Sequence, residues 1–198
     1  LSLVGSEMCI RDRGNDVGIW LDNVADNLIG GTAAGAGNVI SGNREGITLW
    51  EAGATDNDVQ GNYIGTNAAG DAAIPNDFGV MVYASGNRIG GVESGAGNLI
   101  SGNLVNGVSL SGENATGNTV QGNRIGTDAA GTTALGNGDS GVFILGGDGN
   151  TIGGAASGAR NVIAGNVFGV LVATQDVEGT IIQGNFIGVD ATGSAVLP

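Results

Sequence analysis

Short runs of alternating apolar and polar residues recur along the chain, each opening on a glycine. They read GIWL (18–21), GITLW (46–50), GVMVY (79–83), GVSLS (107–111), GVFIL (141–145) and GVLVA (169–173). A period of two marks a strand with one buried face. The inward set is Ile19 and Leu21, Ile47 and Leu49, Val80 and Val82, Val108 and Leu110, Val142 and Ile144, Val170 and Val172. Two further apolar columns follow at matching offsets. One is Ile29, Val59, Ile89, Val120, Ile152 and Ile182, and the other is Ile40, Ile64, Ile100, Ile125, Ile163 and Ile187.

Superposed on itself at a period of about 61 residues, the chain matches three times. NLIGGTAAGAGNVISGN (27–43) returns as NRIGGVESGAGNLISGN (87–103) and NTIGGAASGARNVIAGN (150–166), and DVQGNYIGT (58–66) as TVQGNRIGT (119–127) and IIQGNFIGV (181–189). Each unit divides into two coils, each with three short strands. Such coils stack best as an all-β, right-handed parallel β-helix solenoid of about six coils with three parallel sheets, roughly 29 Å long.

Polar residues recur as regularly. Asn27, Asn57, Asn87, Asn118 and Asn150, with Thr180 in the sixth place, occupy one corner, and Asn38, Asn62, Asn98, Asn123, Asn161 and Asn185 another. Each stands two residues before an inward aliphatic, so its amide points inward and can bond to the coils on either side. The residue before the first of these columns is Asp26, Asp56, Gly86, Gly117, Gly149 and Gly179 in turn. Gly and Asp share tolerance for left-handed backbone, which predicts positive φ at this corner.

The strings GNVISGN, VQGNRIGTDAAGTTALGN and NTIGGAASGARN resemble those of bacterial right-handed parallel β-helix repeat proteins of the pectate-lyase-like class, over residues 14–198. The resemblance implies a secreted or cell-surface setting and contact with polysaccharide. Lyases of that class use acidic calcium ligands with an Arg or Lys base, and its hydrolases use clustered aspartates beside GHG and RIK motifs. Neither motif occurs here.

Composition narrows the chemistry. The chain has 198 residues, 41 of them Gly, no His and a formal charge of −13. It also has no Lys, so acids and bases reduce to Arg, Asp and Glu. An acidic chain gains nothing from phosphate counterion release, which argues against nucleic acid as a partner. No apolar run is long enough for a membrane span, and neither a cofactor nor a metal site is expected. GGDGN (146–150) occurs once, outside any calcium-binding array, and GNGDSG (136–141) opens no helix. Asn67, Asp128 and Asp190 share a loop column at every second coil, an expected spacing of about 10 Å that is too wide for one calcium ion.

Two surface sets remain. Asp16, Arg44 and Asp77 precede successive strand-opening glycines and form one column, read as a salt-bridged ladder or as a lyase base flanked by acids. By parity, the outward face of the first sheet carries Trp20, Met81, Phe143, Trp50 and Tyr83, an aromatic strip suited to sugar rings or to a packing partner. The function expected from these features is a non-catalytic scaffold, adhesion or polysaccharide-binding segment. The alternative is a fragment of a lyase or hydrolase whose active residues lie mostly outside this piece.

Residues 3–13, LVGSEMCIRDR, fit no coil and hold the lone Cys9. They resemble the translated end of a transposon-based sequencing-library adapter. Residues 1–13 are therefore read as a non-native segment joined to a β-helix fragment truncated at both ends. The charge stays at −13 without them, because Glu7 and Asp12 balance Arg11 and Arg13.

Overall fold

The computed structural model describes residues 14–174 and 177–198; the adapter-like segment 3–13 lies outside the described residues. The chain winds through six coils of three strands each. Coil one holds β1 (Val17–Asp22), β2 (Leu28–Gly30) and β3 (Val39–Ile40); coil two β4 (Glu45–Trp50), β5 (Asp58–Gln60) and β6 (Tyr63–Ile64). Coil three holds β7 (Phe78–Val82), β8 (Arg88–Gly90) and β9 (Leu99–Ile100); coil four β10 (Val108–Ser111), β11 (Thr119–Gln121) and β12 (Arg124–Ile125). Coil five holds β13 (Ser140–Leu145), β14 (Thr151–Gly153) and β15 (Val162–Ile163); coil six β16 (Phe168–Val172), β17 (Ile181–Gln183) and β18 (Phe186–Ile187). Every third strand pairs in parallel, giving three six-stranded sheets. No helix occurs among the described residues, so none is long and apolar enough to cross a membrane.

The register is that of the apolar columns. Ile19, Ile47, Val80, Val108, Val142 and Val170 are successive partners in the first sheet. Ile29 through Ile182 do the same in the second sheet, and Ile40 through Ile187 in the third. Each aliphatic that this stacking buries fully contributes roughly 1.5 to 3 kcal/mol. Ile47, Leu49, Ile64, Ile89, Ile100 and Ile125 are fully buried. Coil six has a neighbour on one side only, and Ile182 and Ile187 are there 45% and 47% exposed.

Both asparagine ladders form. The side-chain carbonyl of Asn57 accepts from the backbone and side-chain amides of Asn27, both at 2.9 Å, and Asn87 receives the same pair from Asn57. In the second ladder Asn98 accepts from Asn62, Asn123 from Asn98 and Asn161 from Asn123. Thr180 ends the first ladder differently, since its buried hydroxyl has no partner among the described residues.

A third ladder was not foreseen. It runs through Asn15, Asn43, Asn76, Asn103, Asn137 and Asn166, with each amide donating to the carbonyl of the next. The glycine that opens each strand of the first sheet is required chiefly by the next coil's backbone: a Cβ on Gly79 would run into the Gly107 carbonyl oxygen, with an Ile100 methyl at 3.0 Å and the Asn103 amide at 3.1 Å close behind, so no side chain fits. The left-handed corner is as predicted, with φ of 59° at Asp26, 55° at Asp56, 71° at Gly86, 62° at Gly117, 66° at Gly149 and 65° at Gly179.

Two loop sets explain why the repeat spans two coils. Odd coils extend the corner between their second and third strands (31–38, 91–98, 154–161), whereas even coils turn there in two residues, such as Gly61 and Asn62. Even coils instead carry a loop after the third strand, closed by antiparallel bridges Thr66 to Ala73, Thr127 to Ala134 and Val189 to Val196. Bridged loops of alternate coils touch one another directly. The Ala129 N–H donates to the Gly70 carbonyl at 2.9 Å and the Ala191 N–H to that of Gly131 at 2.8 Å. The intervening coil has no loop at this corner, so nothing separates them.

Candidate functional site

The outward face of the first sheet is not an even strip. Trp20 is 56% and Trp50 38% exposed, while Tyr83 and Phe143 are half-buried. Met81 has outward parity but is only 8% exposed, and its column neighbours Thr48 and Ser109 are buried as well. Met81 therefore has little surface to offer a ligand. Phe143 pairs in register with Ser109 and Leu171 and lines neither of the two clefts on this face.

Trp50 divides those clefts. On one side a space of about 290 Å³ is bounded by Val17, Trp20, Arg44, Glu45, Thr48 and Trp50. On the other, about 170 Å³ is bounded by Trp50, Tyr83, Ser111, Glu51, Glu113 and Asn114, together with Gly112. The Trp50 and Tyr83 rings meet edge to face, with centroids 4.7 Å apart and planes at 72°. Such pairs contribute about 0.5 to 1.5 kcal/mol beyond the area they bury, so the wall between the clefts is held in place.

The structure joins two sets that the sequence left separate. Asp16 and Arg44 share a column, as expected, and the Arg44 guanidinium lies 3.4 Å from Asp16. Its second partner is Glu45, at 3.0 Å, rather than Asp77. The other Glu45 oxygen accepts from the Thr48 hydroxyl at 2.6 Å. Glu45 was missed because period-two counting turns it inward with Ile47. At the first position of β4 the corner instead leaves its carboxylate beside Arg44 and Thr48, on the floor of the larger cleft. Burial, followed by the Glu45 charge, raises the Tyr83 phenol above its ordinary range, and Arg44 partly offsets this.

Glu51 was also missed. It has left-handed backbone, with φ of 65°. The equivalent corner residue is Asn23 in coil one, Gly112 in coil four and Gly146 in coil five, all of which also have positive φ. A non-glycine residue in that conformation costs about 1 to 2 kcal/mol. Glu51 and Glu113 stand at the rim of the smaller cleft, and neither has an ion-pair partner among the described residues.

Among the described residues no group of three or more His, Cys, Asp or Glu is placed to hold a metal ion. The loop acids have local roles. Asp128 accepts from the Thr132 and Thr133 amides at 2.8 and 3.1 Å, and Asn67 makes the same contacts in its own loop.

No family model matches the chain, and no match is found among curated proteins or among solved structures.

Proposed function

We propose that this chain is a non-catalytic repeat segment of a secreted or cell-surface protein that binds polysaccharide along the outward face of its first sheet. The observation that supports this most is Trp50, a partly exposed indole held by Tyr83 between two open clefts. Sugar rings present apolar C–H faces edged with hydroxyls. Indole and phenol rings match the faces, and the Ser111 hydroxyl and the Asn114 amide match the edges. Consecutive clefts on a rigid sheet suit consecutive units of a polymer.

Arg44 favours the non-catalytic reading over a lyase base. Its guanidinium faces two carboxylates, which makes it part of the frame of the larger cleft. Affinity electrophoresis through gels containing different polysaccharides tests the proposal. At least one polysaccharide should retard the protein, and Trp50→Ala should lose most of that retardation while keeping its β-rich circular dichroism. Equal retardation of the variant would refute the proposal.

A further inference from the structure

The Trp50–Tyr83 cleft differs from the rest of this face in its charge. Its walls are two aromatic rings and its rim carries two carboxylates, Glu51 and Glu113, that no cation neutralises among the described residues. The Arg44 guanidinium is committed to Asp16 and Glu45 and bounds the other cleft. The remaining arginines of the coils are elsewhere: Arg88 pairs with Asp58 on the second sheet, Arg124 lies in β12 on the third, and Arg160 stacks over Phe186.

We infer that this cleft takes a protonated amino group, and that the polysaccharide recognised is one built from amino sugars with free amines. The inference rests on the glycan-binding reading of the same face and names the class of glycan. An ammonium placed against the faces of Trp50 and Tyr83 is attracted by the ring quadrupoles. Its N–H groups can donate to Glu51 and Glu113 in charge-assisted hydrogen bonds. Glu51 fits this role, since it brings a carboxylate to the lining of the cleft at a left-handed corner where coils one, four and five have Asn23, Gly112 and Gly146. A uronic acid polymer would bring carboxylates against these two acids, on a chain of net charge −13. Repulsion at the cleft and across the whole surface would exclude it.

The test is a fluorescence titration, at low salt and slightly acidic pH, with four probes: a glucosamine tetramer, its fully N-acetylated counterpart, a galacturonate tetramer and tetramethylammonium chloride. The glucosamine tetramer should bind about tenfold more tightly than the acetylated one, the gain expected for a cation in an aromatic and acidic cleft. The galacturonate tetramer should not bind. In the Glu51→Gln, Glu113→Gln double variant, whose changes lie on the exposed rim and leave the core intact, that tenfold preference should disappear while affinity for the acetylated tetramer is kept. Galacturonate binding as tight as glucosamine binding, or a double variant that keeps its preference, would overturn the amino-sugar inference alone. Tetramethylammonium binding as tightly as the glucosamine tetramer would make the cation, without the sugar, the ligand, and would overturn it too. Absence of binding by all four probes, together with no retardation by any polysaccharide, would overturn the glycan-binding reading as well.

Discussion

The Trp50 ring meets that of Tyr83 edge to face at 4.7 Å, one coil apart on the first sheet. The contact unites the exposed aromatic surface with the charged pair Arg44 and Glu45, because Tyr83 responds to both charges. The phenol should therefore ionise above the ordinary tyrosine range. Ultraviolet titration of the two tyrosines checks this, and Glu45→Gln should bring the Tyr83 midpoint down, whereas Arg44→Gln should raise it further. Stability linked to this group is complete below the unfolded-state value near 10 and is lost as pH rises through the higher folded-state value. A Tyr83 midpoint unchanged by either substitution would show that the Trp50 wall and the ion pair are not neighbours.

Buried rungs of the ladders should matter more than end rungs. Asn98→Ala removes the carbonyl that accepts from the Asn62 backbone N–H and the amide that donates to the Val59 carbonyl and to Asn123, and each buried polar group left without its partner costs roughly 1 to 3 kcal/mol. Urea unfolding should show a loss of about 3 kcal/mol. Asn27→Ala, at the exposed end of its ladder, should cost about 1 kcal/mol or less. Equal losses would contradict the ladder as the source of the effect.

The left-handed corner gives a cleaner backbone experiment. A Cβ on Gly117 would meet nothing within 4 Å, so Gly117→Ala reports the conformational cost alone, about 1 to 2 kcal/mol. Asp56→Gly, at the same corner, should stabilise the fold by up to about 1 kcal/mol in the same assay. A neutral Gly117→Ala would mean that the corner relaxes out of the left-handed region.

The bridged loops should be acid-sensitive where they carry Asp. Burial pushes the Asp128 carboxyl up, but hydrogen bonds from Thr132, Thr133 and Gly131 outweigh it and hold the group below its ordinary value. A depressed folded-state value contributes stability above the unfolded-state value, near 3.9, that is lost as pH falls through the folded-state value. Proton exchange of the Thr132 and Thr133 amides should rise below about pH 4, and Asp128→Asn should abolish that rise. At the position of Asp128 the 66–73 loop has Asn67, whose uncharged side-chain carbonyl accepts from the Asp71 and Ala72 amides, so those two amides should show no such rise.

Most of the architecture was legible because a parallel stack repeats its sequence. Ile40, Ile64 and Ile100 fall into one column whichever coil is counted first, and the exchange of Asp for Gly between positions 56 and 86 marks a φ requirement in the sequence itself. The third ladder was hidden by the bridged loops. Asn43 stands three residues after inward Ile40, but Asn76 stands twelve after Ile64, because the 66–73 loop intervenes, so a fixed offset finds only half of the column. The direct stacking of alternate loops was hidden for a related reason, since layer counting ignores a corner where the intervening coil has no loop. At the site, parity found Trp20, Trp50 and Tyr83. It failed for Glu45 and Glu51, which lie where the strand begins and ends and the alternation no longer sets direction.

The most direct measurement uses the indole itself. In Trp20→Phe protein, Trp50 is the sole tryptophan and its emission reports the wall between the two clefts. Titration with a retained polysaccharide should give a saturable emission shift with the same midpoint as binding measured by retardation. Full binding with no change in Trp50 emission would place the ligand elsewhere and contradict the account.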